Sequence, residues 1–204
     1  MSSANGTCAL DPNGYNGIFS LELQGMLYNG SASSYYDQLY GGAPGTPAVP
    51  NSARTLIEHE SQAATLINTG IVSAFITYRS FAVVNHLSYV SLNPIVGLQS
   101  NNSTALADYA KLSTQLFTGS PGTFTTVVPA PVLFAVTVPL NAPNPALGAA
   151  FIHLLLSPQG SAIISAGGAF TPIFPGWSDH PSAVPSVLAP DVTGLPSWAT
   201  ALLT

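Results

Sequence analysis

Two short polar segments carry the side chains best placed to do chemistry. The first is Asp11-Pro12-Asn13-Gly14-Tyr15-Asn16-Gly17, a turn leading into an apolar-patterned helix that runs to about Tyr28. A helix start leaves backbone N–H groups without intrahelical acceptors and carries the positive end of the aligned peptide dipoles, so it suits an anion. Gly14 and Gly17 let a ligand approach the backbone closely. The competing reading is plain capping of the helix by Asp11 or Asn13. The second segment is Phe75-Ile76-Thr77-Tyr78-Arg79-Ser80, where an apolar, β-branched strand gives way to a helix. Ligands of open α/β sheets bind at the carboxyl ends of strands, and this end delivers hydroxyls from Thr77, Tyr78 and Ser80. Arg79 alternates away from Tyr78 and is not a direct ligand in this reading. The competing reading is a polar strand end with Arg79 in solvent. The chemistry these two segments offer is non-covalent capture of an anion by Asp11, Asn13, Gly14, Tyr15, Thr77, Tyr78 and Ser80.

Other chemistry finds little support. His59, His86, His153 and His180 are scattered, and adjacent residues of Glu58-His59-Glu60 would point about 100° apart on a helix, so they do not converge on one ion. His153 reads as a core or interface histidine. No nucleophile elbow, dinucleotide fingerprint or phosphate loop is present. Cys8 is the one cysteine, with no histidine near it in sequence, so neither a disulfide within the chain nor a thiol nucleophile is expected. Nothing calls for a cofactor or a metal.

Composition narrows the partners. Only 5% of the 204 residues are charged, with Lys and Arg together numbering 3, whereas ordinary soluble domains carry roughly 25%. No basic patch can form for a nucleic-acid backbone. No apolar run is long enough to span a bilayer: Val127–Leu140, the most apolar stretch, is cut by Pro129, Pro131 and Pro139. The first twelve residues lack the charged and apolar regions of a signal peptide. Sequons at Asn5, Asn29, Asn101 and Asn102 lean towards an exported protein.

These segments need elements to hold them. The pattern predicts helices over Ser33–Tyr40, Arg54–Asn68 with Gly70 as C-cap glycine, Ser80–Asn85 and Thr104–Phe117. Strands are expected over Ile71–Thr77, Leu87–Leu92 and Leu133–Val138. Asn144-Pro145 and Ser157-Pro158 each pair an N-cap with proline at the first helical position, starting helices to Leu156 and to about Ala166. Strands alternating with helices predict an α/β fold.

At this point a resemblance enters. The chain resembles the archaeal tungstate/molybdate-binding proteins of ABC importers, over about residues 9–175. That family has an Asp-Pro-Cys-Gly-Tyr-Arg turn, where this chain has Asp11-Pro12-Asn13-Gly14-Tyr15-Asn16; it has Ala-Phe-Glu-Tyr-Lys-Ser, where this chain has Ala74-Phe75-Ile76-Thr77-Tyr78-Arg79-Ser80. Asp108-Tyr109-Ala110-Lys111 has a counterpart. The late segment Ala135-Val136-Thr137-Val138-Pro139-Leu140-Asn141-Ala142-Pro143-Asn144, then Leu155-Leu156-Ser157-Pro158-Gln159-Gly160, matches most specifically. The resemblance implies a type II periplasmic-binding-protein-like fold with the first lobe largely missing. Residues 1–8 would be a leader, 9–128 a second-lobe α/β domain, and 129–204 the return crossover strand with C-terminal helices. It implies an extracellular or cell-surface receptor whose partners are a small oxyanion, an ABC permease and a separate first lobe, the chain being otherwise a fragment or a decayed copy. It also implies that Asp11 joins the oxyanion's metal. The family's second carboxylate is Thr77 here, which can donate a hydrogen bond but is a poor metal ligand. Tetrahedral capture through hydroxyls, Tyr78 included, stays open. The reading from another class is a secreted surface or interaction glycoprotein without a small ligand.

Two expectations follow from the carboxylates. A surface of amides and hydroxyls, poor in ionised groups, gives stability that is nearly flat between about pH 3 and 7. Asp11→Asn separates the roles open to Asp11. If Asp11 is a metal ligand, tungstate binding measured by calorimetry is abolished; if it is a cap, binding survives and stability falls by about 1 kcal/mol or less, because Asn caps nearly as well as Asp.

Overall fold

The structure is a computed structural model that describes residues 12–31, 60–117, 123–167, 170 and 172–200. Asp11, the expected Ser33–Tyr40 helix and residues 54–59 of the expected Arg54–Asn68 helix lie outside the described residues. The described chain divides into two compact units. The first holds residues up to Tyr78 and Asn85–Val132, the second Arg79–Val84 and the chain from Leu133.

The first unit is organised around α1 (Pro12–Asn29), which begins on proline inside the segment that the sequence predicts to be a turn. α1 is a core helix: Asn13, Gly14, Gly17, Ile18, Phe19, Ser20, Glu22, Leu23 and Gly25 are all buried. Phe19 and Leu23 pack with Val96, Leu98, Ala105, Tyr109 and Leu112. Helix α2 (Ser61–Asn68) ends with Gly70 at φ 71°, the Gly70 N–H donating to Ile67 O at 3.0 Å and the Ile71 N–H to Leu66 O at 2.9 Å. This glycine C-cap, expected from the sequence, uses the left-handed conformation that glycine adopts without strain. Helix α4 (Ser103–Tyr109) is capped by Asn102, whose side chain accepts from the Ala105 N–H at 2.8 Å. Tyr109, buried at its end, donates its hydroxyl to Ile95 O at 3.0 Å.

In the second unit lies α3 (Arg79–Val84), where the sequence predicts a helix. The two Asx/Ser-Pro starts behave as expected. Asn144 accepts from the Leu147 N–H at 3.0 Å at the head of α5 (Pro145–Leu156), and Ser157 accepts from the Gly160 N–H at 3.1 Å at the head of α6 (Pro158–Ala166). The two helices meet at 70°. The bend brings the α6 start so close to the α5 end that a Cβ on Gly160 would lie 1.9 Å from Leu154 O. The unit's small core joins Ala149, Ile152 and Leu188 to Val138, Leu156, Val184 and Val192. Along α5, Leu147, Phe151 and Leu154 remain exposed. Helix α7 (Ser197–Thr200) closes the described chain. Among the described residues no single helix is long and apolar enough to cross a membrane; the bent pair α5–α6 meets that test together by length and composition.

The strand expectations need correction. The fold mixes helices with small sheets, yet Ile71–Thr77, Leu87–Leu92 and Leu133–Val138 form no strand among the described residues. Apolar, β-branched composition signals a wish to be buried, whereas a strand also needs a neighbour for its N–H and C=O groups. The N–H groups of Ile71 and Val72 are spent on Leu66 O in the exit from α2. Val90 is 88% exposed and Phe134 66% exposed, so neither segment is the interior of a sheet. Instead β1 (Thr114–Phe117) pairs antiparallel with β2 (Phe124–Val127), and β3 (Gly176–Ser178) pairs parallel with β4 (Val192–Gly194). β1 replaces the end of the expected Thr104–Phe117 helix. Helix α4 stops at Tyr109, and the chain from Thr114 is taken up by a four-pair ladder with β2.

Glu22 argues for a pH slope where the composition predicts flat stability. Its side chain is fully buried in α1 with both carboxyl oxygens unpaired, and burial pushes its pKa from 4.5 up to about 8. Unfolding frees the group to ionise at its ordinary value. The stability it contributes is therefore complete below about pH 4.5 and is lost as pH rises through about 8. By pH 7 the loss is roughly 3 kcal/mol. Thermal melts of wild type should show stability falling from pH 5 to pH 8. Glu22→Gln, which cannot ionise, should flatten that slope and raise Tm at pH 7.5; an equally sloped variant would acquit Glu22.

Candidate functional site

The first turn of α1 places Asn13 and Asn16 three residues apart, on the same side of the helix. Asn13 is the second helical residue, so its side chain is not a cap. It reaches away from its own helix: Asn13 Nδ2 donates to Glu60 Oε1 at 3.2 Å and lies 3.5 Å from Thr77 Oγ1. The Thr77 hydroxyl donates to the same Glu60 oxygen in a short contact. Asn16 Nδ2 donates to the Tyr78 hydroxyl at 3.2 Å. The helix start and the Thr77–Tyr78 segment, distant in sequence, thus meet through paired side chains, all of it within the first unit. Asn13 is buried, while Asn16, Glu60, Thr77 and Tyr78 are half-buried, so the cluster is accessible without being loose.

Glu60 forms the turn immediately before α2, at the N-cap position. A carboxylate there ordinarily accepts from the first N–H groups of its helix. Glu60 makes no such bond; its carboxylate crosses to Asn13 and Thr77 instead. Ionised, it is an acceptor-only group among neutral amides and hydroxyls. The arrangement can hold a small polar ligand by hydrogen bonds. Among the described residues no group of three His, Cys, Asp or Glu could hold a metal ion.

Of the residues expected from the sequence, Asn13, Thr77 and Tyr78 come together. Gly14 is buried beside Asn13 in α1, and Gly17 is buried one turn on. Tyr15 packs its ring edge-on against Phe19 at 6.3 Å between centroids, against the core. Ser80 sits in α3 of the second unit. Arg79 is exposed. Asp11 lies outside the described residues. His153, expected in a core or interface, is half-exposed and pairs with Asp191 at 2.5 Å. Asn16 and Glu60 were not anticipated. The i, i+3 spacing of Asn13 and Asn16 was the available signal for the first. For Glu60, placement inside the predicted helix hid a turn residue free to reach sideways.

Comparison with known proteins agrees with a binding architecture. The model of the bacterial extracellular solute-binding protein family matches residues 4–169. The chain belongs to that family. Its match spans every member of the polar cluster, from Asn13 to Tyr78. An uncharacterised solute-binding protein of Petrotoga mobilis is 31% identical over 159 residues, covering 78% of this chain and 46% of the relative. The molybdate/tungstate-binding protein WtpA of Thermococcus kodakarensis is 26% identical over 162 residues, covering 75% of this chain and 44% of that protein. WtpA of Pyrococcus abyssi is likewise 26% identical over 162 residues, covering 75% and 45%. The resemblance to archaeal tungstate/molybdate-binding proteins therefore holds, and the chain spans less than half the length of these relatives.

Proposed function

We propose that this chain is the ligand-bearing part of an extracellular solute-binding protein that captures a small oxyanion, such as tungstate or molybdate, for an ABC importer. The observation that carries the reading is the meeting of the α1 start with Thr77 and Tyr78, where Asn13 and Asn16 amides stand beside two hydroxyls. These neutral donors, with the N–H groups of the first helical turn, form the kind of set that replaces an anion's hydration shell. The names of the WtpA relatives support the oxyanion class. Capture without chemistry on the ligand fits a family of binding proteins.

In this proposal the fold is that of a periplasmic-binding-protein lobe. Residues 9–128 serve as the second lobe, and 129–204 return the chain and brace a first lobe. The exposed stripe of Leu147, Phe151 and Leu154 on α5 supports that division, since an apolar face at i, i+4 and i+7 is suited to being covered. The permease of an importer is the downstream partner, and the working place is the cell exterior. Asp11, Gly14 and Tyr15 complete the proposed site: Asp11 through the ligand's metal centre or as support for the turn, Gly14 and Tyr15 through the backbone of the first helical turn.

Differential scanning fluorimetry of the 204-residue chain against tungstate, molybdate, sulfate and phosphate tests the reading. At ligand concentrations about 100 times Kd, binding stabilises by roughly 2.7 kcal/mol and raises Tm saturably. Flat Tm with all four anions up to millimolar concentration would reject oxyanion capture.

A further inference from the structure

Asn29, Asn101 and Asn102, all in the described first unit, each begin an Asn-x-Ser/Thr triplet, the signal read by enzymes that attach glycans to asparagine. The triplet alone carries no information on access; the fold separates the three. Asn29 is the last residue of α1 and is exposed, as are Gly30 and Ser31 after it. Gly30 turns the chain in the left-handed conformation at φ 70°, and a Cβ built on it would meet no atom within 4 Å, so the middle of this triplet stands in open space. Asn101 is exposed in the approach to α4, and Asn102 after it is extended, at φ −73° and ψ 163°. Among the described residues no hydrogen bond holds the carboxamide of Asn29 or of Asn101. Asn102 differs, although it too is exposed. Its carboxamide oxygen accepts from the Ala105 N–H at 2.8 Å, and the Ser103 and Thr104 of its triplet are the first residues of α4.

N-glycosylation joins an asparagine Nδ2 to the anomeric carbon of a sugar carried on a polyprenyl pyrophosphate. The carbon–oxygen bond to the pyrophosphate breaks, the pyrophosphate leaves with the electron pair, and Nδ2 gives up one proton. The enzyme must take hold of the carboxamide together with the hydroxyl two residues on, as the triplet signal implies. At Asn29 and Asn101 that grip disturbs no bond of the carboxamide. At Asn102 it pulls the carboxamide off the Ala105 N–H and unwinds Ser103 and Thr104. A cap of this kind favours the closed helix start by a factor of about 5. We propose that Asn29 and Asn101 are acceptors for N-linked glycans in the folded chain, whereas Asn102 is spared because its carboxamide caps α4. A glycan on Asn29 leaves the polar cluster open, since Asn29 lies about 20 Å along the α1 axis from Asn16. It also stands beside Leu27 and Tyr28, two exposed apolar side chains at the same helix end that a glycan would shield. The assignment is independent of which solute the chain captures and requires only that the chain meet the enzyme outside the cytoplasm.

The test incubates the folded 204-residue chain with a polyprenyl-pyrophosphate glycan and an oligosaccharyltransferase that modifies free peptides carrying each of the three triplets. Occupancy is followed site by site by mass spectrometry of proteolytic peptides. Asn29 and Asn101, which need no local opening, should be modified within about threefold of the rates of their free peptides. An Asn101→Gln variant removes the competing neighbour, and in it Asn102 should be modified at least about fivefold more slowly than its own peptide. A folded chain that takes no glycan at Asn29 or at Asn101, while the peptides are modified, overturns the acceptor assignment, and wild type alone gives that result. Asn102 modified as fast in the folded variant as in its peptide overturns protection by the cap; a melting temperature matching wild type shows that the variant is folded. Failure of the chain to respond to any oxyanion leaves both outcomes unchanged.

Discussion

Burial of α1 on several sides is the constraint from which the first unit follows. Phe19 and Leu23 are fully enclosed by Val96, Leu98, Ala105, Tyr109 and Leu112, so the helix axis is fixed by packing along its middle. A helix held there has a start that cannot wander, and its first turn carries Asn13 and Asn16 to Glu60, Thr77 and Tyr78. Gly14, Gly17 and Gly25 are buried in the same helix. Hydrophobic packing at the centre of α1 thus pre-organises polar side chains at its end, and donors arranged before a ligand arrives spare it the cost of ordering them.

The same helix shows what a carboxylate costs in this chain. Glu22 and Glu60 are chemically alike, yet Glu22 is enclosed without a partner and has its pKa pushed up to about 8. Glu60 is half-buried and satisfied by an amide and a hydroxyl. Burial without hydrogen bonds penalises the charged form of Glu22. In a chain with so few charged groups, each buried carboxylate weighs heavily on behaviour with pH, and composition alone conceals which one does so.

Local signals in the sequence translated well. Gly70 ends α2 in a left-handed conformation, and Asn144 and Ser157 cap α5 and α6, because each depends on residues within one helical turn. The meeting of the α1 start with Thr77 and Tyr78 was expected from a strand's carboxyl end facing a helix start, yet the contact forms with no strand to deliver it. Strands were not legible. Leu133–Val138 has the composition of an interior strand but stands outside any described sheet, while Thr114–Phe117, marked as the end of a helix, pairs with β2. Pairing is decided by what lies alongside, which composition does not encode. Glu60 escaped for a related reason: its role comes from reaching across to another element, and a helical pattern records only which face a residue would occupy.

The scarcity of cations shapes what capture by such a cluster would mean. With 3 Lys and Arg residues in 204, an anion approaching this chain meets no strong attractive field, so its association gains little from electrostatic steering. What holds it must act at contact: amide and hydroxyl dipoles and the dipole of the first turn of α1. Such donors are directional. They reward an oxyanion whose oxygens and protons match their positions and give little to one that merely carries charge. A site without cations therefore exchanges long-range attraction for discrimination at close range, and its affinity should vary less with ionic strength than that of a lysine- or arginine-lined pocket.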